Sequence, residues 1–276
     1  MGVPDPADLT AIRGPLDAAS IRQELRRRSS RWPQPQILST VKSTNAEVIA
    51  AARRGAIEGL VVAAEEQTSG RGRLDRSWTS PRGAGLTLSV LLRPAPPMVM
   101  WGWLPIAAGM ALLTAVRALS DVDVALKWPN DLLLGPDRAK AAGILAESAD
   151  SAVAVGLGLN VSTTAQEMPN GATSLLAQGV LVSRETLLIE LMTSLESWYA
   201  AWVDADGDAD HCGLKAGYER CCDTLGRAVT VHLPANEVLR GTAEGIDSSG
   251  GLQVRTADGT RTTVVAGDVV HVRAGD

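Results

Sequence analysis

The segment Glu66-Gln67-Thr68-Ser69-Gly70-Arg71-Gly72-Arg73-Leu74-Asp75-Arg76-Ser77-Trp78 gathers residue types that hold anions. Gly70 and Gly72 let the backbone approach a ligand closely and expose N–H donors. Arg71, Arg73 and Arg76 carry fixed positive charge on forked donors that match carboxylate and phosphate. Trp78 offers a flat face on which a base can stack. One loop thus holds the parts for an acyl group and a nucleotide; the plain alternative is a flexible basic surface loop. A second run, Lys127-Trp128-Pro129-Asn130-Asp131, also fits an ordinary turn between strands. Lys140-Ala141-Ala142-Gly143-Ile144-Leu145 follows, where a lysine ahead of a glycine-containing strand can set an ammonium beside a phosphate without crowding. The third run, Gly156-Leu157-Gly158-Leu159-Asn160-Val161, lacks the third glycine and the following helix of a dinucleotide fingerprint. Its glycines mark close approach of a ligand to a strand.

The elements that must position these residues follow from periodicity and punctuation. Met1 to Pro15, rich in Pro, Asp and Gly, is expected to be disordered. Helices are expected over Asp17–Arg28, from the Ser43-Thr44-Asn45 cap to Arg54, over Trp101–Leu119, over Thr186–Val203 and near Leu214–Cys222. Strands are expected over Gln36–Val41, Leu60–Ala64, Leu86–Leu92, Val122–Leu126 and Leu132–Leu134, with a hairpin of Gly143–Ser148 and Ala152–Asn160. After Thr224 come five short strands separated by turns at Pro234-Ala235-Asn236, Ser249-Gly250-Gly251 and Asp258-Gly259, a pattern that suggests a small barrel. The division is therefore 1–15, 16–223 and 224–276. Gln67 to Gly85 shows no hydrophobic period, and like charges at Arg71, Arg73 and Arg76 should keep that loop mobile until an anion arrives.

Bulk properties narrow the class. With 45% hydrophobic residues a sizeable core can form, and without Phe it must lean on Leu, Val, Ile and Ala, leaving seven Trp for specific jobs. A net charge of −5 argues against a nucleic-acid footprint. The run Arg26, Arg27, Arg28 and Arg31 fits a solvated helix end, with a nucleic-acid patch as the alternative. Three clustered cysteines, Cys212, Cys221 and Cys222, make no disulfide framework, and His211 beside Cys212 lacks metal-site spacing. No signal peptide or membrane span is visible, so a cytoplasmic location is expected.

Taken together, Ser43-Thr44-Asn45, Gln67 with Gly70-Arg71-Gly72-Arg73, Lys127 to Asp131, Lys140 with Gly143-Ile144-Leu145, and Gly156 to Val161 closely resemble the biotin protein ligase family, in the family's order. The resemblance implies an α+β fold: a mixed sheet with flanking helices, related to class II synthetases, followed by an SH3-like barrel. It implies a biotin side formed by Ser43, Thr44, Asn45, Gln67, Gly70, Arg71, Lys140, Gly143 and Gly156. It implies a nucleotide side of Arg73, Arg76, Trp78, Asn130, Lys140 and Asn160, with Lys140, Arg71 and Arg73 as the catalytic cations. ATP and biotin would be the substrates and Mg²⁺ the cation, with no metal ligand assigned to the protein. The acceptor would be a biotin carboxyl carrier domain; monomer or weak dimer stays open. Two departures stand out: Asp75 replaces the commoner Gly inside the loop, and Ala141 replaces Leu, which implies a looser pocket wall.

The expected chemistry is biotinyl-adenylate formation followed by transfer to lysine. A lipoate or octanoate ligase of the same fold is the nearest alternative; a non-catalytic repressor or RNA-binding module is another. Met1 to Lys42 leaves room for one helix and a strand before the first motif, not for a winged helix-turn-helix, so no sequence-specific DNA binding is expected. Every matched residue lies before Val161, so adenylation is expected to need little from the C-terminal unit.

Overall fold

The computed structural model describes residue 9 and residues 12–74, 76–233, 237–265 and 267–271. Asp75, the Pro234-Ala235-Asn236 turn and Val272 lie outside them.

Asp17 starts the first helix, α1 (Ala18–Arg27), by accepting hydrogen bonds from the Ala19 and Ser20 amides. Ile21 and Leu25, one turn apart, form its buried stripe. Seven strands then build one sheet: β1 (Gln36–Leu38), β2 (Val61–Ala64), β3 (Gly85–Leu92), β4 (Val124–Lys127), β5 (Asp131–Leu134), β6 (Ala139–Ala149) and β7 (Ala152–Asn160). Their spatial order is β1-β2-β3-β7-β6-β5-β4, parallel at β1/β2 and antiparallel elsewhere. The mixed sheet expected from the sequence is therefore present.

Both faces of this sheet are covered, and the two faces differ in side-chain size. On β7, Val153, Val155, Leu157 and Leu159 enter the main core, which also holds α3 (Trp103–Leu119) and α4 (Arg184–Asp204). The alternate residues Ala152 and Ala154 enter a smaller core with Val48 and Ala52 of α2 (Thr44–Arg53). Gly156, Gly158 and Asn160 continue that second face past the apolar side of the helix, and with no Cβ at the two glycines the Asn45 amide and the Trp78 ring lie directly on the strand.

The second sheet contains β8 (Ala228–His232), β9 (Val238–Ile246), β10 (Leu252–Arg255), β11 (Arg261–Val264) and β12 (Asp268–His271), antiparallel in the order β11-β10-β9-β8-β12. It is the small SH3-like unit. A short helix, α5 (Leu214–Glu219), leads to it, and the chain from Cys221 to Asp223 pairs with Leu126 at the free edge of β4. Trp103 and Trp128 bolt the two sheets together: their indole N–H groups donate to Ser248 O at 2.8 Å and Gly250 O at 3.0 Å.

Two expectations change and one holds. Arg13 to Leu16 is not loose: Leu16 N donates to Glu65 Oε1 at 2.7 Å, and Gly14 O accepts from Arg184 at 2.6 Å. The basic run is the solvated helix end expected of it, with Arg26 and Arg27 exposed, Arg27 on Glu24 and Arg28 on both Glu24 and Glu190. Ala141 is fully buried in the main core and so does not shape the pocket wall. Among the described residues no helix is long and apolar enough to cross a membrane, and no cluster of three or more His, Cys, Asp or Glu could hold a metal.

Arg184 and Glu65 form an ion pair at 2.8 Å with side-chain exposures of 3% and 6%. Removing one partner strands a buried charge. Arg184→Ala is expected to lower the unfolding free energy by about 3–5 kcal/mol in urea titration; a loss below about 1 kcal/mol, the scale of a surface ion pair, would count against this role.

Candidate active site

A cleft of about 230 Å³ opens on the small-residue face of the sheet. Its closed end is polar and buried. Thr44 N donates to Gln67 Oε1 at 2.8 Å, and the Ser89 hydroxyl lies 2.7 Å from Thr44 Oγ1 and 2.6 Å from Asn45 Oδ1. Asn45 Nδ2 donates to Leu145 O at 3.1 Å and to Glu147 at 2.7 Å. Ser43, Thr44 and Asn45 are each at most 5% exposed, so the start of α2 is a fixed polar wall.

Glycines make the floor. A Cβ on Gly156 would sit 2.9 Å from Asn45 Cγ and nearer still to its oxygen. A Cβ on Gly158 would meet the Trp78 indole, 3.0 Å from Cζ2 and closer to the ring nitrogen. Trp78 therefore lies on the middle of the floor, where its Nε1 is buried without a partner. Gly156 and Asn160 are four residues apart on one strand, so the cleft runs about 13 Å along β7.

The cations stand at its mouth and far end. Lys140 lies within β6, not ahead of it, beside a register shift in the pairing with β5. Its Nζ is 2.6 Å from Asp131 Oδ1, an ionic contact without hydrogen-bond alignment. Arg71 meets Glu147 at 3.0 Å. The loop is a narrow hairpin, with Trp78 N donating to Gly70 O at 2.9 Å and Gly72 N to Arg76 O at 2.6 Å. Gly70 packs under Trp78 O and is the one expected site residue that does not line the cleft.

The expected repulsion among the three arginines is offset, because each has its own partner. Arg73 donates to Asn130 Oδ1 at 3.3 Å and to Gly267 O at 3.0 Å, and Arg76 pairs with Asp268. Burial lowers the Arg73 pKa, opposed by the fields of Asp131 and Asp268. Burial pushes the Asp268 carboxyl up, but Arg76, Lys127 and Arg73 bring it below its usual value. These partners also correct the sequence-based expectation of a site complete before Val161. Asp268 opens β12 of the second sheet with Gly267 just before it, and Asp268 lines the cleft. The 127–131 turn is tied to the same strand: Trp128 N donates to Thr224 Oγ1, which lies 3.1 Å from His271 Nε2.

Ser89, Glu147, Met168 and Asp268 were missed. Ser89 and Thr87 alternate with Leu86, Leu88 and Val90 along the strand, and a period-2 reading of that alternation, which was available, would have set Ser89 on the face opposite the core. Asp268 had none, since its partner is 192 residues away.

Sequence comparison gives this geometry its context. Residues 39–163 match the Biotin/lipoate A/B protein ligase family, and residues 224–272 match the Biotin protein ligase C terminal domain. A biotin--[acetyl-CoA-carboxylase] ligase of Mycobacterium tuberculosis is 41% identical over 96% of this chain and 99% of its own length. The chain belongs to the biotin protein ligase family. A Paracoccus denitrificans relative with the same description is 33% identical, over 84% of this chain and 98% of its own. Among solved structures, the Aquifex aeolicus biotin protein ligase in complex with biotin and ATP superposes with a TM-score of 0.73 at 25% identity, covering 87% of this chain and 99% of that one.

The family's floor glycines differ in tolerance here. Gly156→Ala forces the Asn45 amide out of its bonds and is expected to cost about 1–3 kcal/mol of stability. Gly143→Ala should be close to neutral, since its Cβ would find ordinary contacts at 3.5 Å with Lys140 and Trp78. Chemical denaturation of both variants checks the contrast; equal losses would mean that the cleft does not hold Asn45 rigidly.

Proposed function

We propose that this ligase activates biotin with ATP to biotinyl-5′-adenylate and then attaches the biotinyl group to a specific lysine of a biotin carboxyl carrier domain. The observation that carries the reading is one continuous cleft with a buried polar end, a floor of strand glycines beneath Trp78, and Arg71, Arg73, Arg76 and Lys140 along its walls. Thr44, Asn45 and Gln67 present the mixed donors and acceptors that a cyclic urea needs, and Ser89 behind them holds Thr44 and Asn45 in place. In this reading the tail of biotin runs from Gly156 along the Trp78 ring toward Lys140, which brings the carboxylate to the phosphate.

A carboxylate and a triphosphate repel each other, so neutralising charge governs the barrier. Lys140 and Arg71 answer the biotin carboxylate and α-phosphate, with Arg73, Arg76 and the Asn130 and Asn160 ends on the nucleotide side. Carboxylate oxygen attacks the α-phosphorus and pyrophosphate leaves; the acceptor amine then attacks the acyl carbon, loses a proton and releases AMP. The residues fit a magnesium ion carried by the triphosphate: Asp131 and Asp268 are hard oxygen donors facing the cleft. When bound, such an ion offsets negative charge on the phosphates. Trp78 and the loop exclude water from the adenylate, which otherwise hydrolyses.

The reading includes a catalytic unit through residue 223 and an SH3-like unit from 224, and a reducing cytoplasm that suits three free cysteines. It includes no site-specific DNA binding, since Arg27 and Arg28 are already paired.

Purified protein should exchange labelled pyrophosphate into ATP with biotin and not with lipoate or octanoate. Exchange driven equally by lipoate would overturn the substrate assignment. Lys140→Ala is expected to lose on the order of 2.7–4 kcal/mol of transition-state stabilisation, a rate fall of about 10²–10³. Unchanged exchange in that variant would remove Lys140 from the chemistry.

A further inference from the structure

Arg13 stands in the segment expected to be disordered, yet all three of its guanidinium nitrogens are engaged. Nη1 and Nη2 grip both oxygens of Glu167 at 3.0 and 2.7 Å, while Nη2 also donates to Ser162 O at 2.7 Å and Nε to Ser162 Oγ at 3.3 Å. The side chain is 14% exposed, and Gly83 has no room for a Cβ because the Arg13 backbone packs on it. Leu16 and Gly14, bonded to Glu65 and Arg184, anchor the same segment on its other side.

Glu167 in turn closes the turn Thr164–Glu167. Its Oε2 accepts from Thr164 N at 2.9 Å and Thr164 Oγ1 at 3.0 Å, a reciprocal cap. Arg13 is the main reason that the Glu167 carboxyl is held down at about 2, so the pair stays ionised at any working pH. Beyond Glu167 the chain runs along the cleft at Met168 and Pro169 and then clasps the lysine strand. Lys140 N donates to Gly171 O at 3.2 Å, and Thr173 N donates to Lys140 O at 2.9 Å. Asn160 Nδ2 holds the same stretch through Thr173 O at 3.0 Å. The backbone on both sides of Lys140 is thus set by a loop whose base is gripped by Arg13.

We propose that Arg13 is a positioning residue for biotin activation, acting through Glu167 on the loop that fixes the Lys140 backbone. The inference rests on the activity proposed above. Arg13 touches no reacting atom. It sets where the ammonium of Lys140 stands when carboxylate and α-phosphate meet.

The test is biotin-dependent pyrophosphate exchange by the full chain, with Arg13→Ala, Glu167→Gln, the double variant and Arg13→Lys. A misplacement of the lysine should lower kcat roughly tenfold in Arg13→Ala, since an error near 1 Å can cost about a hundredfold. KM for biotin should stay within about twofold of the parent, because the polar end of the cleft is built from other segments. Glu167→Gln should lose a similar factor, and the double variant no more than either single one. Arg13→Lys, which keeps the charge and loses the fork, should recover part of kcat. Rates are taken well below each variant's unfolding midpoint, so that reduced stability alone leaves kcat unmoved. If kcat in Arg13→Ala stays within twofold of the parent, or if the two single losses multiply in the double variant, the inference is overturned. If the parent itself shows no biotin-dependent exchange, it is the proposed activity that fails.

Discussion

Gly156 and Gly158 leave one face of β7 without Cβ atoms at the level where the Asn45 amide and the Trp78 ring already touch it, and the rest of the site is arranged around that close approach. Glycine inside a strand weakens it by roughly 0.5–1 kcal/mol relative to alanine. The opposite face offsets the cost, since Val155, Leu157 and Leu159 are buried in the main core. Pairing on both edges, with β3 and β6, then keeps the strand in register. The polar wall at the start of α2 can form because Gly156 lets the Asn45 amide in the first turn lie directly on the strand. The apolar side of α2 covers Ala152 and Ala154 instead.

The two sheets meet where the charges are. Strand β12 reaches the loop through Asp268, with Gly267 just before it, and the 127–131 turn through His271 by way of Thr224, so a single strand of the smaller unit touches both segments of the nucleotide side. Burial and the nearby Lys127 depress His271 to about 4, so the ring adds no charge to this junction at neutral pH. Two indoles hold the sheets at fixed spacing with hydrogen bonds to turn carbonyls. Several tryptophans in a chain without phenylalanine thus serve as long, directional struts as well as core volume.

Much of this was legible in the residues themselves. Gly156 to Asn160 reads as a strand closely approached by a ligand; the strand and the close approach are there, but the groups that lie on Gly156 and Gly158 are the Asn45 and Trp78 side chains. Asn130, Asn160 and Lys140 were placed on the cleft by motif, and the structure puts them there. What stayed hidden depends on distance along the chain. Glu147 and Asp268 read as ordinary surface acids until folding sets them against Arg71 and Arg76. Arg13 and Glu167 are separated by 154 positions, and a composition of Pro, Asp and Gly gave no reason to expect order there. Lys140 was placed just outside its strand because Ala139 to Ala142 carries little β propensity; pairing with β5 and β7, not propensity, makes it a strand.

Arg71, Arg76 and Lys140 each touch a carboxylate of the protein before any ligand arrives. An entering anion therefore trades places with an internal one, and its gain is the difference between two pairings instead of the full attraction of three bare cations. Inorganic phosphate, chloride or sulfate can supply charge but cannot also lie along the glycine floor or reach the buried amides, so the exchange gives them little. The built-in carboxylates act as competitive inhibitors of every small anion in the surrounding solution. Occupancy is left to a molecule long enough to engage both ends of the cleft at once.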